Sequence, residues 1–291
     1  MDYNDLQTFL RVANSGSFSE AAQSLFLTQP AVSKRIAALE QQLQTRLFDR
    51  LGRQLLLTEA GQLLLHRAEN IVRDIQDCRR EISNLSGQVG GPLKFATSHH
   101  IGLHRLPPVL RYFNSHYPQV KLNLNFMDSE QACRHVENAN MELAIITLPI
   151  QIPAKLHAQI LWNDELQLVV GKSHPLAQSV PGGYSLEQIS AYPGILPLAG
   201  TTTRALIEAV FVSSQLPLTT HMDTNFLETI KMLVSVGLGW SVLPRTLLDQ
   251  DLITPDTPEL ILKRPLGVVW QQDRTLSNAA NAMLQFLSQA A

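Results

Sequence analysis

Two groups of side chains in this 291-residue chain have types and spacings suited to binding other molecules. The first is Gln29, Pro30, Ser33 and Lys34. At helical spacing these positions share one face, and an amide, a hydroxyl and an ammonium on that face can reach the base edges of DNA. Arg50 and Arg53 lie on either side of a turn at Gly52, where two guanidinium groups can meet phosphates or a narrow minor groove. The second group is a set of polar turns, Ser98-His99-His100, Thr201-Thr202-Thr203 and Asn225-Phe226, each leading into a helical pattern. Hydroxyls, imidazoles and an amide beside the free N–H groups of a helix start attract an anion. Thr147, at the end of a buried strand pattern, is grouped with them. Neither the Ser98 nor the Thr201 turn holds an Asp or Glu, so a small anionic metabolite is the expected ligand, with Phe226 as its apolar contact. Each turn taken singly is also an ordinary helix cap.

Other chemistries are poorly supplied. His100 and His104 stand at i, i+4, as metal ligands can, but no third His, Cys or carboxylate is spaced to join them. Neither a metal nor a cofactor is expected. Cys133 has no resolving partner nearby, because the only other cysteine, Cys78, belongs to a different pattern. No G-x-S-x-G, P-loop or GxGxxG occurs, so no catalytic residues are assigned and the chain is not expected to be an enzyme.

The elements that must carry these residues are legible. Leu6, Phe9, Leu10 and Val12 give a first helix over residues 3–14, ended by Gly16. Ser17-Phe18-Ser19-Glu20 has the form of a capping box opening a short second helix. Thr28 caps a third, with Pro30 in its first turn and Val32, Ile36, Leu39 and Leu43 as its apolar face. Two helices joined by a tight turn, the second with a polar N-terminal face, form a helix-turn-helix. Residues 47–57 read as a β-ribbon turning at Gly52. From Thr28 to Thr58, Lys34, Arg35, Arg46, Arg50 and Arg53 oppose Glu40 and Asp49, so five positive less two negative charges leave +3, within a chain of net charge -2. Leu64, Ala68, Ile71, Ile75, Cys78, Ile82 and Leu85 then form a heptad seam on a helix running from residue 59 to about 86. That seam should pack against a second copy, with Cys78 inside it. Residues 86–92, rich in Gly and ending in Pro92, form a linker. Beyond it strand and helix patterns alternate: 93–97, a helix over 103–116, 120–126, 130–136 and 143–147. Such alternation argues an α/β sheet covered by helices.

Phe18-Ser19-Glu20-Ala21-Ala22, Thr28-Gln29-Pro30-Ala31-Val32-Ser33, Leu47-Phe48-Asp49-Arg50 and Leu57-Thr58-Glu59-Ala60-Gly61 together resemble the winged helix-turn-helix of LysR-type transcriptional regulators. Gln44 departs from the glycine usual at the end of that recognition helix. Leu106-Pro107-Pro108-Val109-Leu110 and Leu233 to Gly239 before Leu243-Pro244 resemble the effector domain of the same family, which is similar to periplasmic binding proteins. The resemblance implies a multidomain chain of mixed helical and α/β class: a DNA-binding domain over 1–58, a dimerising helix and hinge over 59–91, and an effector domain over 92–291. The last divides into one subdomain of 92–163 plus 265–291 and another of 164–264, with a ligand in the cleft between. It also implies double-stranded DNA as partner and a homodimer or homotetramer.

The totals agree. Hydrophobic residues are 45% and aromatics 6%, as in globular domains with sizeable cores. Two cysteines suit a reducing compartment, and residues 1–5 carry no secretory signal, so a cytoplasmic site is expected. A binding or transport protein that merely dimerises through its N-terminal helices is the rival reading; the local charge excess argues against it.

Overall fold

Asp2, Ser17 and Thr28 each stand in extended backbone and accept the N–H three residues on, which opens α1 (Tyr3–Ser15), α2 (Phe18–Ser24) and α3 (Gln29–Leu43). The computed structural model describes residues 1–51 and 54–290. They fall into two compact units, Met1–Ser86 and Gly87 onward. In the first, α3 ends at Gln44, held at φ 53° and ψ 31°. A side chain strains this left-handed conformation where glycine would not. Gln44→Gly is therefore expected to stabilise the helical unit by about 0.5–1 kcal/mol, strain relief outweighing glycine's greater unfolded-state entropy. A melt followed by helical circular dichroism checks this; a lowered first transition would contradict it.

The Glu40 carboxylate accepts the N–H groups of Leu47 and Phe48 at 2.8 and 3.4 Å, which ties α3 to the ribbon of β1 (Phe48–Leu51) and β2 (Gln54–Leu57). These strands pair antiparallel with Arg50 opposite Leu55. The turn expected at Gly52, with Arg53, lies outside the described residues. Gly61, near the start of α4 (Glu59–Asn84), lies so close to the ribbon that a Cβ would stand 2.2 Å from the Leu47 carbonyl oxygen. Leu6, Phe9, Val12, Ala22, Val32, Ile36, Leu39 and Leu47 form the core.

One expectation is corrected here. The sequence assigns the whole α4 seam to a second chain, but its first part packs on its own unit. Ala68 is fully buried and Leu64 joins the same core, as do Leu65 and Val72 off the seam. The exposed remainder is Ile71, Cys78, Ile82 and Leu85. Cys78 is thus on the surface of the single chain.

In the second unit β3 (Gly91–Thr97) lies between parallel neighbours β4 (Val120–Phe126) and β5 (Leu143–Thr147). The helix expected over 103–116 is two helices, α5 (His99–His104) and α6 (Leu106–His116). Pro107 and Pro108 lack N–H donors and crowd the preceding turn, so the chain breaks at Arg105 and a new helix starts. After α7 (Ser129–Glu137), β6 (Leu156–Gly171) runs 16 residues. There follow α8 (Leu186–Ser190), β7 (Gly194–Leu196), α9 (Thr202–Ser213), β8 (Thr220–Asp223), α10 (Leu227–Ser235), β9 (Trp240–Pro244), β10 (Leu252–Ile253), β11 (Leu262–Gln271) and α11 (Asn278–Ala290).

The sheet order is β4-β3-β5-β11-β6-β9-β7-β8, with β10 on β6. Its two ends are parallel and its centre is the antiparallel pair β6 and β11. Asp164 stands opposite Arg264 and Asn163 opposite Pro265. The subdomain boundaries expected at 163/164 and 264/265 therefore fall inside two long paired strands rather than in loops. Leu143 and Ile145 of β5 face a core with Phe95, Phe113 and Met283, while Ala144 and Ile146 face another with Ala132 and Val136. That alternation covers the strand on both faces. Beyond the crossing strands, Leu168, Val170, Ile207, Phe211 and Trp240 fill a separate core. Among the described residues no helix is long and apolar enough to cross a membrane.

Candidate functional site

The carboxyl ends of β3, β4, β5, β7 and β8 point into one cleft of about 350 Å³ in the second unit. Ligands of open α/β sheets sit at such strand ends, and the volume suits a small metabolite. Ser98, His99, His100, Thr147, Thr201, Thr203, Asn225 and Phe226 line it. Thr202 does not. Its side chain faces α7, where Glu130 Oε1 accepts its backbone N–H at 2.9 Å and its hydroxyl stands at 3.4 Å.

The lining residues are not equally available. Thr201 is engaged as a cap: its hydroxyl accepts from the Arg204 N–H and donates to the Leu198 carbonyl at 2.8 Å. The Asn225 side-chain oxygen accepts the Leu198 N–H at 3.0 Å and braces the loop. Ser98 occupies the cap position of α5 but makes no side-chain cap hydrogen bond. His99 stands edge-on between Phe126 and Phe226, with ring centroids 6.0 and 5.5 Å away. Arg204 turns from the cleft to Glu208, the Pro197 carbonyl and the Thr220 hydroxyl.

Sequence reasoning missed what forms the floor. Asp164, 2% exposed, binds Arg105 at 2.8 Å and Arg264 at 3.1 Å, with His100 Nε2 at 3.6 Å. Arg264 also donates to the Thr203 hydroxyl at 3.1 Å. Burial would raise the Asp164 carboxyl pKa, but the His100 contact and the two guanidinium groups hold it well below the usual carboxylate range. Burial pushes the His100 imidazole down, against the opposing pull of Asp164. The sequence carries no distinct signal for this pair: Asp164 stands between Asn163 and Glu165, and Arg264 follows Lys263, so neither charge stands out within its strand.

Two expectations need amending. Carboxylates do reach the cleft, since Asp128 and Glu130 enter from the start of α7. A third group also joins His100 and His104: Glu228, from α10, whose Oε1 lies 3.0 Å from His104 Nε2. It is 124 residues from His104 in sequence, out of reach of any spacing argument. Within α7, Cys133 is buried; burial, with Glu130 and Glu137 nearby, pushes its thiol up to about 11, which suits an inert packing residue.

In the first unit Gln29, Pro30 and Lys34 are exposed and Ser33 is half-buried on the outer face of α3. Gln29 Nε2 donates to Ser33 Oγ at 2.9 Å, so the two present as a pair. Arg35 instead turns inward to the Thr8 hydroxyl. Arg50 lies in β1.

Comparison with known proteins places these features. Residues 3–62 match the family described as bacterial regulatory helix-turn-helix protein, lysR family, and residues 86–291 match the LysR substrate binding domain. An uncharacterized HTH-type transcriptional regulator of Azotobacter vinelandii is 66% identical over 108 residues, 37% of this chain and 75% of that protein. A probable RuBisCO transcriptional regulator of Synechocystis is 32% identical over 293 residues, covering 97% and 84% of the two chains. Full-length CbnR, solved with its target DNA, superposes with a TM-score of 0.67 at 18% identity over all of both chains.

Proposed function

The chain belongs to the LysR family of transcription regulators, and from that premise we propose which residues read DNA, which pair two chains and what the cleft binds. It is a DNA-binding regulator whose activity is modulated by a small-molecule effector. Gln29, Pro30, Ser33 and Lys34 enter the major groove as the exposed N-terminal half of a second helix does. Arg50 and Arg53 meet phosphates or the adjacent minor groove. The stripe Ile71, Ile75, Cys78, Ile82 and Leu85, spaced 4, 3, 4 and 3 and exposed except for the half-buried Ile75, pairs α4 with a second copy, and two dimers assemble into a tetramer. Ile82, 64% exposed in the single chain, is the test position. Ile82→Asp should weaken self-association roughly 100-fold, since an unpaired buried carboxylate costs several kcal/mol. Sedimentation at micromolar protein should then find a smaller assembly than the wild type forms; an assembly of unchanged size would remove this seam from consideration.

The cleft takes a small anionic metabolite with an apolar portion. The supporting observation is that hydroxyls of Ser98, Thr147 and Thr203 and the Arg264 guanidinium share one cavity with Phe126 and Phe226. The chain's own Glu130 carboxylate already occupies the N–H start of α9, the position that best holds a negative charge. An arriving anion displaces it or sits beside it, and so favours one arrangement of the two halves over another. Glu130→Gln should raise affinity for the anion about fivefold, the order of ~1 kcal/mol for a charge at a helix start. The experiment is a gel shift on DNA upstream of the chain's own gene, combined with a thermal-shift screen of carboxylates and phosphates and titration of any hit. Absence of DNA binding sinks the whole reading. Binding without any stabilising anion, or a hit unaffected by Glu130→Gln, sinks the assignment of the cleft.

A further inference from the structure

We propose that His100, His104 and Glu228 form a binding site for one divalent transition-metal ion of zinc or cobalt character, which ties the two halves of the second unit together. His100 and His104 project from one face of α5, four residues apart, and their rings lie 4.8 Å apart. Glu228 comes from the first turn of α10, across the cleft. One ligand atom from each of the three lies within 4.8 Å of the others. Ligand atoms around a tetrahedral zinc ion, each about 2.0–2.2 Å from the metal, stand roughly 3.4 Å apart. The three groups therefore stand within about 1.5 Å of the spacing a bound ion requires.

A hydrogen bond between His104 and Glu228 explains only part of this cluster. His100 is 4% exposed, and its Nδ1 is buried without a hydrogen-bond partner. So is Glu228 Oε2, which has His99 Nδ1 at 3.6 Å. Buried polar atoms left without a hydrogen bond are costly and uncommon. Here two of them belong to the same three-residue cluster, and an ion that accepts lone pairs removes both deficits. The nitrogen on the other side of the His100 ring, Nε2, faces Asp164 Oδ2 at 3.6 Å and the Thr246 hydroxyl at 3.4 Å. A carboxylate behind a ligating histidine is the usual support of such sites. Two imidazoles and one carboxylate favour zinc, cobalt or nickel over magnesium or calcium, which prefer all-oxygen shells. His99 lies at the rim, on the cleft side of Glu228. Because the histidines and the glutamate belong to opposite halves, the ion restrains their separation. The site stands independently of which effector the cleft binds.

The test uses the full chain, freed of metal by chelator and dialysed. Zn2+ is titrated calorimetrically and Co2+ is followed by its visible absorption bands. The expected result is one ion per chain and intense cobalt bands of four-coordinate type. His104→Asn and Glu228→Gln should each weaken Zn2+ at least about tenfold, since losing even a group that only supports a ligand costs about that much. Glu228→Gln keeps the size of the side chain and a hydrogen-bonding partner for His104, so it decides the matter should His104→Asn disturb folding. Zn2+ should also raise the melting temperature reported by tryptophan fluorescence in the wild type and not in Glu228→Gln. Failure to bind one equivalent, or binding undiminished in Glu228→Gln with metal held by other surface histidines, overturns the proposal. DNA binding measured in chelator is unaffected by either outcome, so the regulator reading is judged separately.

Discussion

Asp164→Ala should destabilise the second unit by about 3–5 kcal/mol, the cost of leaving a buried cation without its counter-ion. Arg264 is 4% exposed and its guanidinium has only Asp164 and the Thr203 hydroxyl as hydrogen-bond partners among the described residues. Removing the carboxylate strands that charge between β6 and β11, beside a second guanidinium on Arg105. All three tryptophans, Trp162, Trp240 and Trp270, belong to this unit, so intrinsic fluorescence follows its unfolding without interference from the helical unit. Denaturant titration of the full chain should show the tryptophan transition shifted strongly while the helical transition stays in place. The converse also follows. Asp164→Leu combined with Arg264→Met removes both charges and should recover most of the loss, because a buried ion pair contributes little net stability over a packed apolar pair. A single variant within about 1 kcal/mol of wild type would mean that water reaches Arg264 and that the network is not the buried floor described above.

That network also accounts for where reading the sequence stopped. Caps and periodic apolar faces are local, so Ser17, Thr28 and the α3 face could be seen in the letters, as could strand patterns such as Leu143–Thr147. The division expected at 163/164 and 264/265 came from a family outline, which says nothing of the ion pair where those strands meet. Asp164 and Arg264 meet only because β6 and β11 pair in one register, and register is a tertiary property. The same limit hid Glu228 from His104, and Glu130 from the start of α9. The Thr201–Thr203 turn was singled out correctly as a helix start, yet helical geometry sends Thr202 to α7 while Thr203 faces the cleft. The split of α5 from α6 was foreseeable, since Pro107 and Pro108 were in plain view and their effect on the preceding residue is general. The α4 seam was read as uniform because heptad spacing does not tell which partner fills it; Ala68, small enough for close approach, went to its own unit.

Replacing Ser33 and Lys34 on α3 should leave the fold untouched and sharply reduce specific DNA affinity. Neither side chain contributes to the core of the first unit, whose α3 members are Val32, Ile36 and Leu39. Lys34 is exposed and Ser33 half-buried, so each alanine variant should melt as wild type does. Loss of a good base contact costs about 1–3 kcal/mol, and the double variant should therefore bind its operator at least tenfold more weakly at matched salt. The two positions should differ in kind. Ser33 accepts from Gln29 at 2.9 Å and thereby orients an amide whose own geometry suits adenine. Ser33→Ala and Gln29→Ala should then be non-additive, with a coupling of about 0.5 kcal/mol or more, and both should relax preference at the same base pair. Lys34 is exposed on the same face. If it touches a phosphate, Lys34→Ala weakens all sequences alike and lowers the salt slope by about one unit; if it reads a base, the slope is kept and one position loses discrimination. Equilibrium binding to the operator and to scrambled DNA at several salt concentrations separates these outcomes. A double variant with wild-type affinity, slope and base preference would show that the face of α3 bearing Ser33 and Lys34 does not meet the groove.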